Sequence, residues 1–227
     1  MDKPIVQCRT FLTLLGGGSV APGGLDLALR FAPILVAADG GATAALAQGI
    51  VPEAVIGDFD SLDPAVRHSL PPERLHMVTE QDSTDFEKAL GRVEAPLILG
   101  VGFTGKRRDH ELAAFHALLR FADKPCILLT ESDVICLCPP EVMLELPIGT
   151  RVSLFPLGPV DGTSRGLRWE IDGLSFAPGH KIGTSNMTGQ KQVAVTMSAP
   201  VMLLILPLAH LADLIAALRP DAARWSA

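Results

Sequence analysis

The chain has 227 residues, with 19 lysines and arginines against 25 aspartates and glutamates, and a formal net charge of −6. This balance argues against broad nucleic-acid binding, which needs a positive surface to displace counterions from phosphates. Hydrophobic residues make up 48% of the chain and charged residues 19%, which is typical of a globular protein and not of a disordered one. The length allows one large domain or two of ordinary size.

The cysteines and the most apolar stretches bear on the cellular compartment. None of the four cysteines forms a CxxC pair of the kind that zinc sites use, and three lie in apolar runs, which predicts buried, reduced thiols. Residues 11–15 are too few for the core of a signal peptide. Prolines and charge interrupt the apolar stretch 193–218, so we expect no membrane span. The sequence therefore predicts a cytoplasmic protein that binds neither membranes nor nucleic acids.

Strand-like and helix-like segments alternate over about the first 138 residues. Apolar runs bounded by glycine, proline or charge predict buried strands at 10–15, 34–37, 54–56, 97–99 and 126–129. Apolar residues at helical spacing predict helices at 25–31, 42–47, 84–93 and 110–121. This alternation indicates an α/β domain with a mostly parallel sheet. Ligands of such sheets bind beyond the carboxyl ends of the strands, in the loops that follow them.

The pair Pro139-Pro140 ends this pattern. Between residues 142 and 206 the apolar runs are short and separated by turn pairs such as Asp172-Gly173, which predicts an antiparallel β-sandwich or barrel of six or seven strands. A last helix is expected at 208–218, ending at Pro220. We therefore expect two domains, an α/β domain at 1–139 and an antiparallel β-sandwich domain at 140–227.

An acidic pair directly follows the strand predicted at 54–56. If strand geometry continues, Asp58 and Asp60 point to the same side and offer two hard oxygen ligands to Mg²⁺. The alternative is a solvated loop, in which aspartate is common. The position at the carboxyl end of a strand favours the metal.

A second acidic pair, Asp82 and Asp85, lies at the start of the helix predicted at 84–93. Thr84 and Glu87 have the spacing of a capping box, so helix capping alone explains this pair equally well. Taken with the first pair, however, four carboxylates on two neighbouring loops would repel one another. Mg²⁺ that bridges a polyphosphate removes this conflict.

Glycine-rich turns add the features of a phosphate site. Asp39, Gly40 and Gly41 follow a predicted strand and open a helix, so bare backbone approaches a nucleotide while the aspartate binds a hydroxyl or an amine. Residues 100–106 have the GxxxxGK spacing of a P-loop, but Arg107 follows where a P-loop carries serine or threonine. We therefore do not expect a true P-loop, although the basic residues here also suit a phosphate contact.

Taken in order, these motifs resemble thiamine pyrophosphokinase. The first three segments of the resemblance are Ala-Asp-Gly-Gly-Ala at 38–42, Gly-Asp-Phe-Asp-Ser at 57–61 and Asp-Ser-Thr-Asp-Phe-Glu-Lys-Ala-Leu at 82–90. Residues 105–110 look like the family's GGRxDH segment, with Lys106 in place of its second glycine. In the second half, 166–169 and 183–186 resemble the family's thiamine-binding β-domain. So many segments in the right order are hard to match by chance.

The resemblance implies a reaction and an assembly. Diphosphate moves from ATP to the hydroxyl of thiamine, which gives thiamine diphosphate and AMP. The domain at 1–139 is then the catalytic domain that binds the nucleotide and Mg²⁺, and the domain at 140–227 binds thiamine and forms the dimer contact. The family further implies a homodimer with active sites at the subunit interface.

Site residues follow by matching positions to the family motifs. The implied catalytic and metal-binding carboxylates are Asp58, Asp60, Asp82 and Asp85. The implied nucleotide-binding residues are Asp39, Gly40, Gly41, Ser61, Lys88, Arg107, Asp109 and His110. The implied thiamine-binding residues are Gln81, Trp169, Thr184, Ser185 and Asn186. The indole of Trp169 either holds the thiazolium cation or is one more core aromatic. Lys106 and Met187 depart from the family pattern.

Three alternatives stay open at this point. A glycosyltransferase would use Asp58 and Asp60 as a metal-binding DxD motif, without needing the second acidic pair. A related diphosphokinase that acts on a hydroxymethylpterin would use the same carboxylates with a different second domain. A non-catalytic module would bind thiamine or a nucleotide without turnover.

Overall fold

The computed structural model of the chain describes residues 3–219 and 221–226. It divides into two compact units, Met1–Glu131 and Ser132–Ala227. Every helix in the described ranges is too short or too polar to cross a membrane.

Strands and helices alternate in unit 1. Its strands are β1 (Val6–Gln7), β2 (Leu12–Leu15), β3 (Ile34–Ala38), β4 (Ala54–Gly57), β5 (Leu75–Met77), β6 (Val93–Glu94), β7 (Ile98–Val101) and β8 (Cys126–Leu129). Its α-helices are α1 (Gly24–Phe31), α2 (Gly41–Ala47), α3 (Pro64–Ser69), α4 (Asp85–Gly91) and α5 (Arg108–Arg120). Six strands form a parallel sheet in the order β8-β7-β2-β3-β4-β5, and β1 pairs with β6.

The parallel sheet is buried on both faces. All residues of β2, β4, β7 and β8 are buried, which explains why these strands are continuous apolar runs without alternation. The first residue of helix α2 is glycine for a steric reason, because a β-carbon at Gly41 would overlap the carbonyl oxygen of Leu15. This close contact sets α2 against the end of β2, directly behind the loop that follows β3.

Unit 2 is antiparallel. Its strands are β9 (Asp133–Leu137), β10 (Glu141–Glu145), β11 (Arg151–Pro156), β12 (Val160–Arg165), β13 (Ser175–Phe176), β14 (Gly183–Met187), β15 (Gln192–Met197) and β16 (Met202–Pro207). A 3-10 turn, Leu208–His210, leads into the last helix, α6 (Leu211–Ala217). Strands β14, β11, β16 and β9 pair in that order, and β10, β15, β12 and β13 form a second sheet. Buried and exposed residues alternate along β10, as in a sheet with one solvated face.

The predicted fold class is confirmed: an α/β part with a mostly parallel sheet precedes an antiparallel β part. The strand predicted at 126–129 coincides with β8, and the predicted six or seven strands of the second half correspond to β10–β16. The short strands β1, β5 and β6 and the helix α3 were not predicted, because they carry few buried apolar residues. Strand β9 was not predicted either, although its three central residues are buried. Pro220, where the last helix was expected to end, lies outside the described residues.

Candidate active site

Three aspartates meet where β3 and β4 end. Asp39 follows β3 directly, Asp58 and Asp60 follow β4, and the two strands are parallel neighbours. One carboxylate oxygen from each aspartate lies within 4.8 Å of the others. Gly57 allows this approach, because a β-carbon there would lie 2.8 Å from Cβ of Asp39. The sheet order therefore brings together one predicted nucleotide contact, Asp39, and two predicted metal ligands.

The backbone between the two aspartates turns at Phe59. Strand β4 ends at Gly57, and Phe59 has a φ of +66°, in the left-handed region that bulky residues rarely adopt. Its ring is buried in a cluster with Leu62 and Leu70. The extended geometry that the sequence analysis assumed therefore does not continue through this segment. Core packing of the Phe59 ring holds the turn that presents both carboxylates.

Asp39 is the fully buried member of the group. Its Oδ2 accepts a hydrogen bond from the N–H of Ser61 at 3.3 Å, whereas Oδ1 has no hydrogen-bond partner in the described part of the chain. Burial raises the pKa of Asp39 to about 7, with further contributions from the negative charges of Asp85 and Asp60, while the Ser61 hydrogen bond opposes the shift. An unpartnered buried carboxylate oxygen is costly unless a cation or donor binds it. Asp39 therefore fits a metal ligand in addition to its predicted nucleotide contact.

Asp58 is held by Lys88 of helix α4. The Lys88 Nζ lies 2.6 Å from Oδ2 of Asp58, and Lys88 is only 2% exposed. This hydrogen bond is the main reason why the pKa of Asp58 is held below its usual range. Burial by itself would lower the pKa of Lys88, but the hydrogen bond and charge of Asp58, with the charge of Asp85, raise it overall. Both groups therefore stay charged at neutral pH.

The capping box predicted at the start of α4 is confirmed. Thr84 Oγ1 accepts from the N–H of Glu87 at 3.4 Å, and the Thr84 N–H donates to Oε2 of Glu87 at 3.1 Å. The other carboxylate oxygen of Glu87 accepts from Arg120 of α5 at 2.8 Å. The start of α4 is therefore fixed both by its own cap and by the neighbouring helix.

The two members of the second acidic pair, Asp82 and Asp85, differ in their surroundings. Asp85 lies in the first turn of α4, where burial raises its pKa, Lys88 opposes the shift, and Asp58 and Asp60 add to it. Asp82 is exposed, its N–H donates to Glu80, and it does not belong to the group of three aspartates. Asp85 therefore shares the electrostatic environment of the site, whereas Asp82 is an exposed residue outside the group of three.

A cavity of about 660 Å³ in unit 1 opens beside the carboxylates. The predicted site residues among those that line it are Gly40, Asp60, Ser61, Asp85, Arg107 and His110. Another part of the wall is formed by Gly16, Gly17 and Gly18 after β2, which were not predicted as site residues. Three glycines directly after a buried strand were a usable signal, because bare backbone after a strand suits a phosphate. The volume lies within the range of small-molecule pockets.

The loop between β7 and α5 forms another wall of the cavity. Lys106, where the family motif has glycine, adopts a φ of +45°, and Gly105 before it has a φ of +76°. Arg107 forms a two-point ion pair with Asp109, with N–O distances of 3.2 and 2.5 Å. Both side chains are exposed. The loop thus keeps a backbone shape that favours glycine although lysine occupies the position.

Replacing Lys106 by glycine is expected to stabilise the protein by about 0.5–1 kcal/mol. Left-handed backbone costs a side chain about 1–2 kcal/mol, and the greater freedom of glycine in the unfolded chain offsets part of the gain. Urea unfolding measures the change in free energy. The control Lys106→Ala removes the same charge but keeps the strain, so an equal gain in both variants would assign the effect to charge and contradict the prediction.

The predicted thiamine-binding residues are divided between the two units. Gln81 of unit 1 is exposed, with Nε2 3.5 Å from Oδ2 of Asp58. In unit 2, buried Asn186 holds the backbone of Trp169, since its Oδ1 accepts from the Trp169 N–H at 3.3 Å and its Nδ2 donates to the Trp169 carbonyl at 2.7 Å. Thr184 and Ser185 are exposed on the same strand, β14.

Trp169 is 52% exposed, so the alternative that it is a core aromatic is wrong. The guanidinium carbon of Arg168 lies 4.9 Å from the centroid of the indole ring. A cation therefore already occupies one face of this ring. The half-exposed indole is thus stacked against a cation of its own chain.

The fold and the site together define a protein with an α/β domain that carries three carboxylates and a glycine-lined cavity at its strand ends, followed by a β-sandwich domain. Two family models match the chain: "Thiamin pyrophosphokinase, catalytic domain" at residues 25–129, and "Thiamin pyrophosphokinase, vitamin B1 binding domain" at residues 141–202. The chain belongs to the thiamin pyrophosphokinase family, which confirms the resemblance.

Relatives and solved structures agree with this assignment. Thiamine pyrophosphokinase 1 of Oryza sativa subsp. japonica is 32% identical over 170 residues, which cover 66% of this chain and 64% of the relative. Thiamine pyrophosphokinase 1 of Arabidopsis thaliana is 26% identical, with the same coverage. The chain thus spans slightly less than two thirds of these relatives. The crystal structure of thiamin pyrophosphokinase from Geobacillus thermodenitrificans has a TM-score of 0.73 at 24% identity, covering 87% of this chain and 97% of that one. That from Candida albicans has a TM-score of 0.74 at 17% identity, covering 91% and 95%.

Proposed function

We propose that the chain is an ATP:thiamine diphosphotransferase, a thiamine diphosphokinase that converts ATP and thiamine to AMP and thiamine diphosphate. The observation that carries the proposal is the meeting of Asp39, Asp58 and Asp60 at the strand ends, beside a cavity with glycine-rich walls. Bare backbone in the wall suits phosphate oxygens, but the carboxylates would repel them unless cations are present. The site therefore favours a polyphosphate that arrives with divalent metal. Family membership supports thiamine as the acceptor.

The carboxylates fit Mg²⁺, which prefers oxygen ligands. Asp39, Asp58 and Asp60 would hold the ion, and the unpartnered Oδ1 of Asp39 provides a buried oxygen for it. Asp82 stays predicted as a further ligand, whereas Asp85, which was predicted as a ligand or as a base, is assigned to the thiamine hydroxyl. When bound, the ion neutralises negative charge on the phosphates.

The proposed reaction is an in-line substitution at the β-phosphorus of ATP. The thiamine hydroxyl oxygen forms a bond to this phosphorus, the bond to the bridging oxygen of the α-phosphate breaks, and AMP leaves with that electron pair. Such transfers depend on positioning and charge neutralisation, so no serine or cysteine nucleophile is needed. Asp85 lines the cavity, and burial raises the pKa of its carboxyl, which makes it a better base, so we assign to it the proton of the thiamine hydroxyl.

In unit 2 we propose that Trp169 receives the thiazolium cation in place of Arg168, beside Thr184, Ser185 and Asn186. The existing contact between the guanidinium and the indole supports a cation at this ring.

A homodimer with active sites at the subunit interface belongs to the same proposal. Mixing an Asp60→Asn variant with a Trp169→Ala variant tests it, since shared sites would recover activity in the mixed dimer. A cytoplasmic location belongs to the same proposal, and the reduced thiols of Cys8, Cys126 and Cys138 support it.

The test of the proposed function is AMP formation from Mg·ATP with thiamine, with a hydroxymethylpterin, or with no acceptor. We expect AMP and thiamine diphosphate in equal amounts with thiamine alone. Release of AMP only with the pterin would assign the other diphosphokinase activity. Binding of ATP without turnover under all three conditions would favour the non-catalytic module.

A further inference from the structure

We propose that Lys88 is a positioning residue that orients Asp58 within the carboxylate site, and is not the nucleotide contact that the family resemblance implies. The inference rests on the proposed metal site. It assigns to this lysine an action through Asp58, without contact to either substrate.

The placement of Lys88 separates it from the nucleotide cavity. Helix α4 and the residue before it contribute Thr84, Asp85 and Phe86 to the lining, whereas Lys88 and Asp58 are not among the described residues that line it. Lys88 is 2% exposed, and its ammonium group lies 2.6 Å from Oδ2 of Asp58. A phosphate that contacted this ammonium would have to displace a buried ion pair.

The ion pair fixes which oxygen of Asp58 is available. Lys88 binds Oδ2, whereas Oδ1 is on the side of Asp60, whose backbone N–H donates to it at 3.3 Å. The longer contact is the weaker one, so Oδ1 is the oxygen more easily given to a cation. Lys88 also brings one positive charge beside Asp58 and Asp85, which reduces the repulsion that would otherwise separate the carboxylates.

The position of the ammonium is in turn fixed by helix α4. The capping box and Arg120 hold the start of the helix. At its other end, Nζ of Lys124 donates to the carbonyl oxygens of Leu90 and Val93 at 2.9 and 2.8 Å. A helix held at both ends keeps Lys88 at a set distance from the loop after β4. A fixed ammonium group that binds one oxygen of Asp58 is the arrangement expected of a residue that orients a metal ligand without binding the metal.

The test measures Mn²⁺ binding to the chain without nucleotide by electron paramagnetic resonance, so it does not depend on turnover. Lys88→Gln is expected to weaken Mn²⁺ binding about tenfold, as substitutions behind metal ligands do. Because Lys88 acts through Asp58, the double variant Lys88→Gln/Asp58→Asn should bind no more weakly than Asp58→Asn alone. Tighter Mn²⁺ binding by Lys88→Gln would show that the lysine only repels the ion, and would overturn the proposal. Unchanged binding would overturn it as well.

The matched control is Lys191→Gln, which removes the same charge from an exposed position of unit 2. This variant is expected to keep both its thermal stability and its Mn²⁺ affinity. In the thiamine assay, Lys88→Gln should lower kcat and leave the KM for ATP unchanged. A raised KM with unchanged Mn²⁺ binding would instead make Lys88 a nucleotide contact. If the chain does not act on thiamine, the Mn²⁺ results still decide the role of Lys88.

Discussion

Asp60→Asn is expected to lower kcat for diphosphate transfer by at least about 100-fold, a loss of roughly 3 kcal/mol of transition-state stabilisation. Asp60 is the member of the three-aspartate group that lines the cavity, and its carboxylate is exposed to a ligand there. Asparagine has the same shape but removes the negative charge that attracts Mg²⁺. Because the side chain is exposed, we expect the free energy of unfolding to change little.

The measurement is AMP release at saturating Mg·ATP and thiamine, together with urea unfolding of each variant. Asp26→Asn, on the exposed side of α1, is the matched control and should keep full activity. Asp82→Asn tests the predicted ligand that lies apart from the group, and a small effect would leave the metal to the other carboxylates. Wild-type turnover by Asp60→Asn would remove the three-aspartate group from the catalytic site.

The stability of the metal-free protein is expected to fall as the pH rises, relative to an Asp39→Asn variant. Burial raises the pKa of Asp39 to about 7 in the folded protein, above the ordinary value of 3.8 for an aspartate. The folded state therefore favours the protonated carboxyl of Asp39. The contribution of this carboxyl to stability is present in full below its pKa in the unfolded chain, and it is lost as the pH rises through its pKa in the folded protein. Between about pH 5 and pH 8 we expect the free energy of unfolding of the wild type to fall by roughly 3 kcal/mol relative to that of Asp39→Asn.

Urea unfolding in the presence of a chelator, at both pH values, measures this difference. Asparagine at position 39 is neutral throughout, so its unfolding energy should lack this component of the pH dependence. Added Mg²⁺ should stabilise the wild type at the higher pH and have a smaller effect on Asp39→Asn, because a cation compensates the buried charge. Parallel pH profiles for the two proteins would show that Asp39 ionises in the fold as readily as in the unfolded chain.

The sheet of unit 1 could be predicted because its strands are buried on both faces and carry continuous apolar runs. Strand β8 was located to the residue for this reason. Strand β5 was not predicted because it is short, its residues are partly exposed, and it pairs along one edge only. Helix α3 has no buried residue, so no apolar pattern marks it. Sequence patterns report burial, and elements that bury little leave little signal.

The candidate site was predicted in its composition and less well in its geometry. Asp58 and Asp60 stand out as a pair, but the left-handed turn at Phe59 between them has no sequence signal, since phenylalanine rarely adopts it. Asp39 was assigned to the nucleotide because it opens a glycine-rich turn between a strand and a helix, at a position that matches a family motif. Its approach to Asp58 depends on β3 and β4 being neighbours, which the order of segments does not establish. Long-range pairing is the information that local patterns lack.

The half-exposed indole of Trp169 also provides an optical probe of unit 2. The chain has two tryptophans, Trp169 and Trp225, and no tyrosine, so both strong intrinsic fluorophores belong to the second unit. A Trp225→Phe variant would emit from Trp169 alone, with no background from the α/β unit. Displacement of the Arg168 guanidinium by a cationic ligand would change the surroundings of this single emitter. Ligand binding at this surface can thus be followed in solution without a label and without turnover.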